Sequence, residues 1–239
     1  KTAQTVLGPI STADLGGTLS HEHLIASPPG VETDPNLVFD HEGGLLKCIG
    51  EMKDLRAAGI STIIDPIPIE LGRKVDFMVD VARGSGINVI CATGLYYEKG
   101  PLQGFPVYYK MKSLEELTDL YITEIAEGIG PDKVKAGVIK CATSTFEISK
   151  QETKALTAAA RASKATGVPI TTHTEAGTLG PEQLDIFEGE GLAPHRVTIG
   201  HCSDSADISY LVRILKRGAY IGFDRVGMER WTDDETKVG

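Results

Sequence analysis

Apolar residues gather into seven short runs along the chain, at 18–24, 62–66, 88–93, 135–141, 170–174, 196–202 and 220–224. Each is about as long as an average strand and reads as buried. Between them, longer segments repeat apolar residues at helical spacing: Leu45, Leu46, Ile49, Met52 and Leu55; Leu156, Ala159, Ala160 and Ala165; Ile208, Leu211, Val212 and Leu215. That spacing keeps one stripe turned to a core. Gly59, Gly86, Gly167, Gly191 and Gly218 stand just before the next strand, where a left-handed residue commonly ends a helix. Strand and helix alternate throughout, which predicts a parallel sheet covered by helices, either doubly wound or closed into a barrel.

Polar residues favour the barrel. His23, Asp65, Thr93, Lys140, His173, His201 and Asp224 all fall at or near the C-terminal ends of successive strands. In a closed barrel those ends converge on one mouth. A doubly wound sheet instead binds its ligand at a switch point, often with a glycine-rich phosphate loop after the first strand. No such loop follows the first strand here, and Gly84 and Gly86 precede a strand, as a turn would. Without a low-complexity linker or charge-run boundary, residues 1–239 are expected to form one domain.

Composition narrows the partners. With 41% hydrophobic residues in 239, the chain can bury a sizeable core, so general disorder is excluded. Lys plus Arg number 24 against 33 Asp plus Glu, a net charge of −9 with no basic run, which disfavours nucleic acid and anionic membranes. The longest apolar stretches, such as 60–71, are broken by Asp and Pro and fall short of the roughly 18 residues of a spanning helix. Residues 1–10 show no signal-peptide pattern. Cys48, Cys91, Cys141 and Cys202 are scattered without C-x-x-C spacing, so reduced thiols and a cytoplasmic location are expected.

The candidate chemistry lies in histidines and one lysine. His21 and His23 form H-x-H in a predicted strand, which puts both imidazoles on one face and Glu22 on the other. That spacing suits a metal and equally suits two hydrogen-bonded histidines. His173 and His201 close two further strands, so four of the six histidines lie at strand ends; His41 and His195 sit in polar connections. Lys140 follows Ala136, Gly137, Val138 and Ile139 in an apolar run, where a charged amine is costly to bury. Its ammonium can reach water from the mouth. With a depressed pKa it can instead form a Schiff base, or take up carbon dioxide to become a carbamate that bridges two metals. Four nearby histidines favour the carbamate.

Ordered motifs run along nearly the whole chain: G-P-I at 8–10, L-S-H-E-H from Leu19, A-T-G-L-Y from Ala92, K-A-G-V-I-K-C-A from Lys135, T-T-H-T from Thr171, I-G-H-C-S-D from Ile199 and G-F-D-R from Gly222. In these the sequence resembles the phosphotriesterase family of the amidohydrolase superfamily, particularly its phosphotriesterase-like lactonase branch. The resemblance implies an α/β fold, a (β/α)8 TIM barrel of the metal-dependent hydrolase type, with two divalent metal ions. It implies His21 and His23 as ligands of one metal, His173 and His201 of the other, and carbamylated Lys140 as the bridge. Tyr96 then approaches a metal-bridging hydroxide, and Arg225 lines the substrate pocket. Residues 1–239 carry seven strands, so the eighth βα unit of this design, with its metal-binding aspartate, is expected to be absent; Asp224 belongs to G-F-D-R and is not its counterpart.

The leading expectation is therefore a hydrolase that opens lactones, with promiscuous phosphotriester hydrolysis. No G-x-S-x-G elbow competes, and Cys141 and Cys202, next to inward ligands, are expected to point into the helix layer. The alternatives are a Schiff-base lysine barrel enzyme and a non-catalytic metal-binding or interaction protein. Arg225, Tyr96, Tyr97 and Phe223 suit a lactone with a polar ring and an acyl tail. Zinc is the first expectation for the metal, with iron, cobalt or manganese compatible with the same ligands. The resemblance also implies a homodimer.

Overall fold

Strand and helix alternate as the sequence pattern predicts. A computed structural model describes residues 1–99, 105–229 and 232–238. It begins with an antiparallel hairpin, β1 (Thr2–Thr5) and β2 (Gly8–Ser11), then β3 (Gly17–Leu19), α1 (His41–Ala57), β4 (Ile60–Asp65), α2 (Val75–Ser85) and β5 (Asn88–Gly94). There follow α3 (Val107–Met111), α4 (Leu114–Ala126), β6 (Val138–Thr143), α5 (Lys150–Thr166), β7 (Ile170–Thr174), α6 (Gly180–Gly189), β8 (Val197–Ile199), α7 (Ile208–Lys216), β9 (Tyr220–Ile221) and α8 (Asp234–Val238). Strands β3 to β9 lie side by side in chain order, all parallel, as seven strands of an open, incomplete (β/α)8 barrel. No helix among the described residues is long and apolar enough to cross a membrane.

Alternation along the strands sorts side chains into two layers. On β6, Ile139 and Cys141 join the large core under α4, α5 and α6. Val138 packs with Ile90 and Ala92 in a separate small cluster, and Lys140 shares its side of the strand. The expected outward direction of Cys141 and Cys202 holds, since both lie in the core beneath the helices. Helix α5 carries most of that contact through Ala155, Leu156, Ala158, Ala159, Ala160 and Ala162. Its ends are fixed by a Ser149–Glu152 capping box and by left-handed Gly167. All five glycines expected to end helices have positive φ.

Several boundaries differ from the sequence reading. The run at 18–24 pairs as a strand only to Leu19, although the Glu22 N–H still donates to the Ile64 carbonyl at 2.9 Å. The run at 196–202 ends at Ile199 because His201 is left-handed, with φ 59° and ψ 27°. In α7 the buried face is Tyr210, Leu211 and Ile214, while Ile208 and Leu215 are exposed. The hairpin β1–β2 was not expected; the Val6 N–H donates to the Val89 carbonyl, tying it to the start of β5.

One glycine fixes the placement of Lys140. Gly94 pairs with Lys140 across β5 and β6 at φ +110°, and a Cβ there would stand 1.9 Å from the Lys140 carbonyl oxygen. Only glycine fits that approach.

Candidate metal centre

The strand ends bring the four histidines together. Ring centroids are 5.2 Å apart for His21 and His23, 4.5 Å for His21 and His201, and 4.6 Å for His173 and His201. Lys140 is fully buried among them, its Nζ 3.1 Å from His21 Nε2. The Tyr96 hydroxyl lies 3.3 Å from His173 Nδ1, and the Tyr97 ring stacks on the His173 ring. His41 and His195 lie elsewhere, His41 edge-on to Phe39 and Phe77 and His195 in a short turn before β8.

Each of the four imidazoles has a carboxylate against one nitrogen. His23 Nδ1 donates to Asp65 Oδ1 at 3.0 Å, and the Leu24 N–H holds the other Asp65 oxygen at 3.0 Å. His201 Nδ1 donates to Asp224 Oδ1 at 2.8 Å, and its backbone N–H points to the same carboxylate. His21 Nδ1 lies 3.2 Å from Asp224 Oδ2, a contact without the geometry of a hydrogen bond. His173 is reversed: its Nε2 meets Glu175 Oε2 at 2.8 Å. A carboxylate on one ring nitrogen orients an imidazole and makes the opposite nitrogen the coordinating atom. His21, His201 and Asp224 also place three ligand atoms within 4.8 Å of one another, a candidate metal cluster in its own right.

Electrostatics make these groups suitable ligands. Burial pushes His21, His173 and His201 well below the usual imidazole pKa, and the Lys140 charge adds to the fall, so the rings are neutral at pH 7. Burial would raise the Asp224 carboxyl, but the hydrogen bond from His201 and the close approach of His21 hold it well below the carboxylate range. Burial also lowers Lys140 to about 7, opposed by Asp224 and assisted by Arg225. Neutral imidazoles, carboxylates and a half-deprotonated amine form a donor set that accepts zinc, iron, cobalt or manganese.

The structure thus gathers His21, His23, Lys140, His173, His201 and Tyr96. Arg225 is near enough for its charge to act on Lys140, His173 and Tyr96, and its guanidinium is paired with the buried Asp204. Sequence reasoning missed the roles of Glu175 and Asp204 and did not foresee Asp224 touching two histidines. Glu175 carried a signal, since H-x-E has the same two-residue period as H-x-H. A cavity of about 1180 Å³ is lined by apolar residues, among them Ile25, Leu37, Val38, Phe39, Phe105 and Val107, together with charged Glu70, Arg73, Lys74 and Glu98, and does not include the histidines.

Seven parallel strands with histidines and a lysine gathered at their C-terminal ends define an amidohydrolase-type barrel. The phosphotriesterase family model matches residues 1–239. The chain belongs to the phosphotriesterase family, in its phosphotriesterase-like lactonase branch. It is 39% identical over 233 residues to a phosphotriesterase homology protein of Mycobacterium tuberculosis, covering 94% of this chain and 71% of the relative. It is 36% identical over 221 residues to an aryldialkylphosphatase of Saccharolobus solfataricus, covering 92% and 69%. The organophosphorus hydrolase of Deinococcus radiodurans superposes with a TM-score of 0.95 at 37% identity, covering 99% of this chain and 73% of that one. A mutant PTE-like lactonase of the same organism superposes with a TM-score of 0.94 at 39% identity, covering 99% and 76%.

Proposed function

We propose that this chain is a metal-dependent hydrolase that opens lactones and hydrolyses phosphotriesters more slowly. The observation that carries this reading is four imidazoles, each set against a carboxylate, around one buried lysine. His21 and His23 would hold one divalent ion, His173 and His201 the other, with zinc the first expectation. Such ions supply Lewis acidity and a nucleophile at neutral pH.

The chain's own groups set the rest of the chemistry. With a pKa lowered to about 7, Lys140 is partly free amine at neutral pH. Its nitrogen can attack carbon dioxide, forming an N–C bond and releasing a proton to solvent, which gives an anionic oxygen ligand. The Tyr96 hydroxyl, against His173, orients the substrate at the mouth. Arg225, steadied by Asp204, donates to the polar ring of the substrate. The apolar part of the cavity lining, from Ile25, Leu37, Phe39 and Phe105, suits an acyl tail. The lactonase and organophosphate hydrolase named among the relatives support both substrate classes. Four free cysteines agree with a reducing, cytoplasmic setting.

The test is an assay of metal-loaded protein on lactones and aryl phosphotriesters, with metal counted in the same sample. Two metals per chain and kcat/KM about tenfold or more in favour of lactones are expected, about 1.4 kcal/mol of differential transition-state binding. A tenfold preference for the phosphotriester would overturn the substrate assignment.

A further inference from the structure

His173 is reversed relative to the other three histidines, and the cause lies two residues along the chain. Residues two apart on a strand share a face, and Glu175 follows His173 at that spacing as β7 ends. Both side chains are buried, and the carboxyl oxygen stands 2.8 Å from Nε2. A carboxylate only accepts, so the ring proton sits on Nε2. Nδ1 is then an acceptor, and the Tyr96 hydroxyl at 3.3 Å can donate to it. The opposite tautomer would aim a lone pair at the Glu175 carboxylate.

The backbone after Glu175 is shaped to hold this contact. Ala176 and Leu179 are left-handed without being glycine, at φ 55° and 63°. The Glu175 carbonyl accepts from the Thr178 N–H at 3.3 Å and from Thr178 Oγ1 at 2.8 Å. A Cβ at Gly177 would come within 2.8 Å of Ser205, so the turn lies tight against the chain that follows β8. From the other side, Gln183 of α6 donates to the His173 carbonyl at 2.9 Å and to Thr143 at 2.8 Å. Strained residues persist where the surroundings over-determine them, and here they aim one carboxylate at one imidazole.

We infer that Glu175 is a positioning residue that holds the proton of His173 on Nε2 and presents Nδ1 to the barrel mouth. That tautomer would in turn set how tightly His173 holds a metal. The metal-binding consequence rests on the proposed function, whereas the tautomer does not.

The first experiment measures ¹⁵N shifts of His173 in the metal-free chain. A protonated Nε2 with unprotonated Nδ1 is expected, and a protonated Nδ1 overturns the inference. The second compares Glu175→Leu with Glu175→Gln, whose amide oxygen still accepts. Glu175→Leu should give mixed tautomers and, in competition with a chelator, hold Zn²⁺ at least about tenfold more weakly; Glu175→Gln should restore most of both. Unchanged tautomer and unchanged Zn²⁺ affinity in folded Glu175→Leu would also overturn it. Should Glu175→Leu fail to fold, the wild-type shifts still decide. Failure to hydrolyse any lactone would count against the proposed function and leave the tautomer result intact.

Discussion

Replacing Lys140 by Met tests the cost of placing an amine inside the barrel. Lys140 is 1% exposed, with its Nζ 3.1 Å from His21 Nε2. Burial moves its pKa from the ordinary 10.5 to about 7. In that window the unfolded chain binds a proton that the folded chain releases, so stability rises with pH from about 7 to 10.5. At about 1.36 kcal/mol per pH unit, the gap corresponds to a destabilisation of roughly 5 kcal/mol at or below pH 7, fading towards pH 10.5. Met fills a similar volume without a charge. Metal-free Lys140→Met should therefore be several kcal/mol more stable than wild type near pH 6.5, with the advantage shrinking steadily as pH rises. Urea unfolding in chelator and carbon dioxide-free buffer, repeated from pH 6.5 to 10, gives both curves. Equal stability at pH 6.5, or a gap that does not change with pH, would refute the reasoning. The metal-loaded variant should lose most of its hydrolytic activity.

Three other substitutions probe different parts of the structure. Asp224→Asn removes the carboxylate that contacts both His21 and His201; metal affinity, measured by chelator competition, should fall about 10- to 100-fold with little change in fold. Glu124→Gln leaves the buried Arg73 guanidinium without the carboxylate it now meets at 2.6 Å; a loss of about 3–5 kcal/mol is expected in urea unfolding. Ser149→Ala removes the cap whose Oγ accepts from the Glu152 N–H, which should lower stability by about 1 kcal/mol, read as a shift of the urea midpoint.

Much of this site was legible in the sequence because strand alternation is strict. Apolar neighbours place Lys140 on β6 and His173 on β7, and both strands have the expected parity. Periodicity failed where neighbouring apolar residues compete for one face. In α1, Leu45 is partly buried and Leu46 is 66% exposed, because adjacent helical positions lie about 100° apart and cannot both face a core. The hairpin β1–β2 escaped because its strands, TAQT and GPIS, have only four residues each and too little apolar surface to announce themselves.

The carboxylates escaped for a different reason. Asp224 reaches His21 across about two hundred residues of sequence, a contact made when the curled sheet brings the end of β9 near the end of β3. His201 turns to the same carboxylate only because its backbone is left-handed, which a reading by strand parity cannot supply. Glu175 is the exception, since its two-residue spacing from His173 was visible and its importance was not. A histidine at a strand end says which side of the sheet it occupies; a carboxylate at the right register says which nitrogen it offers. Locating a metal centre of this kind from sequence therefore means reading the acids beside the histidines as closely as the histidines themselves.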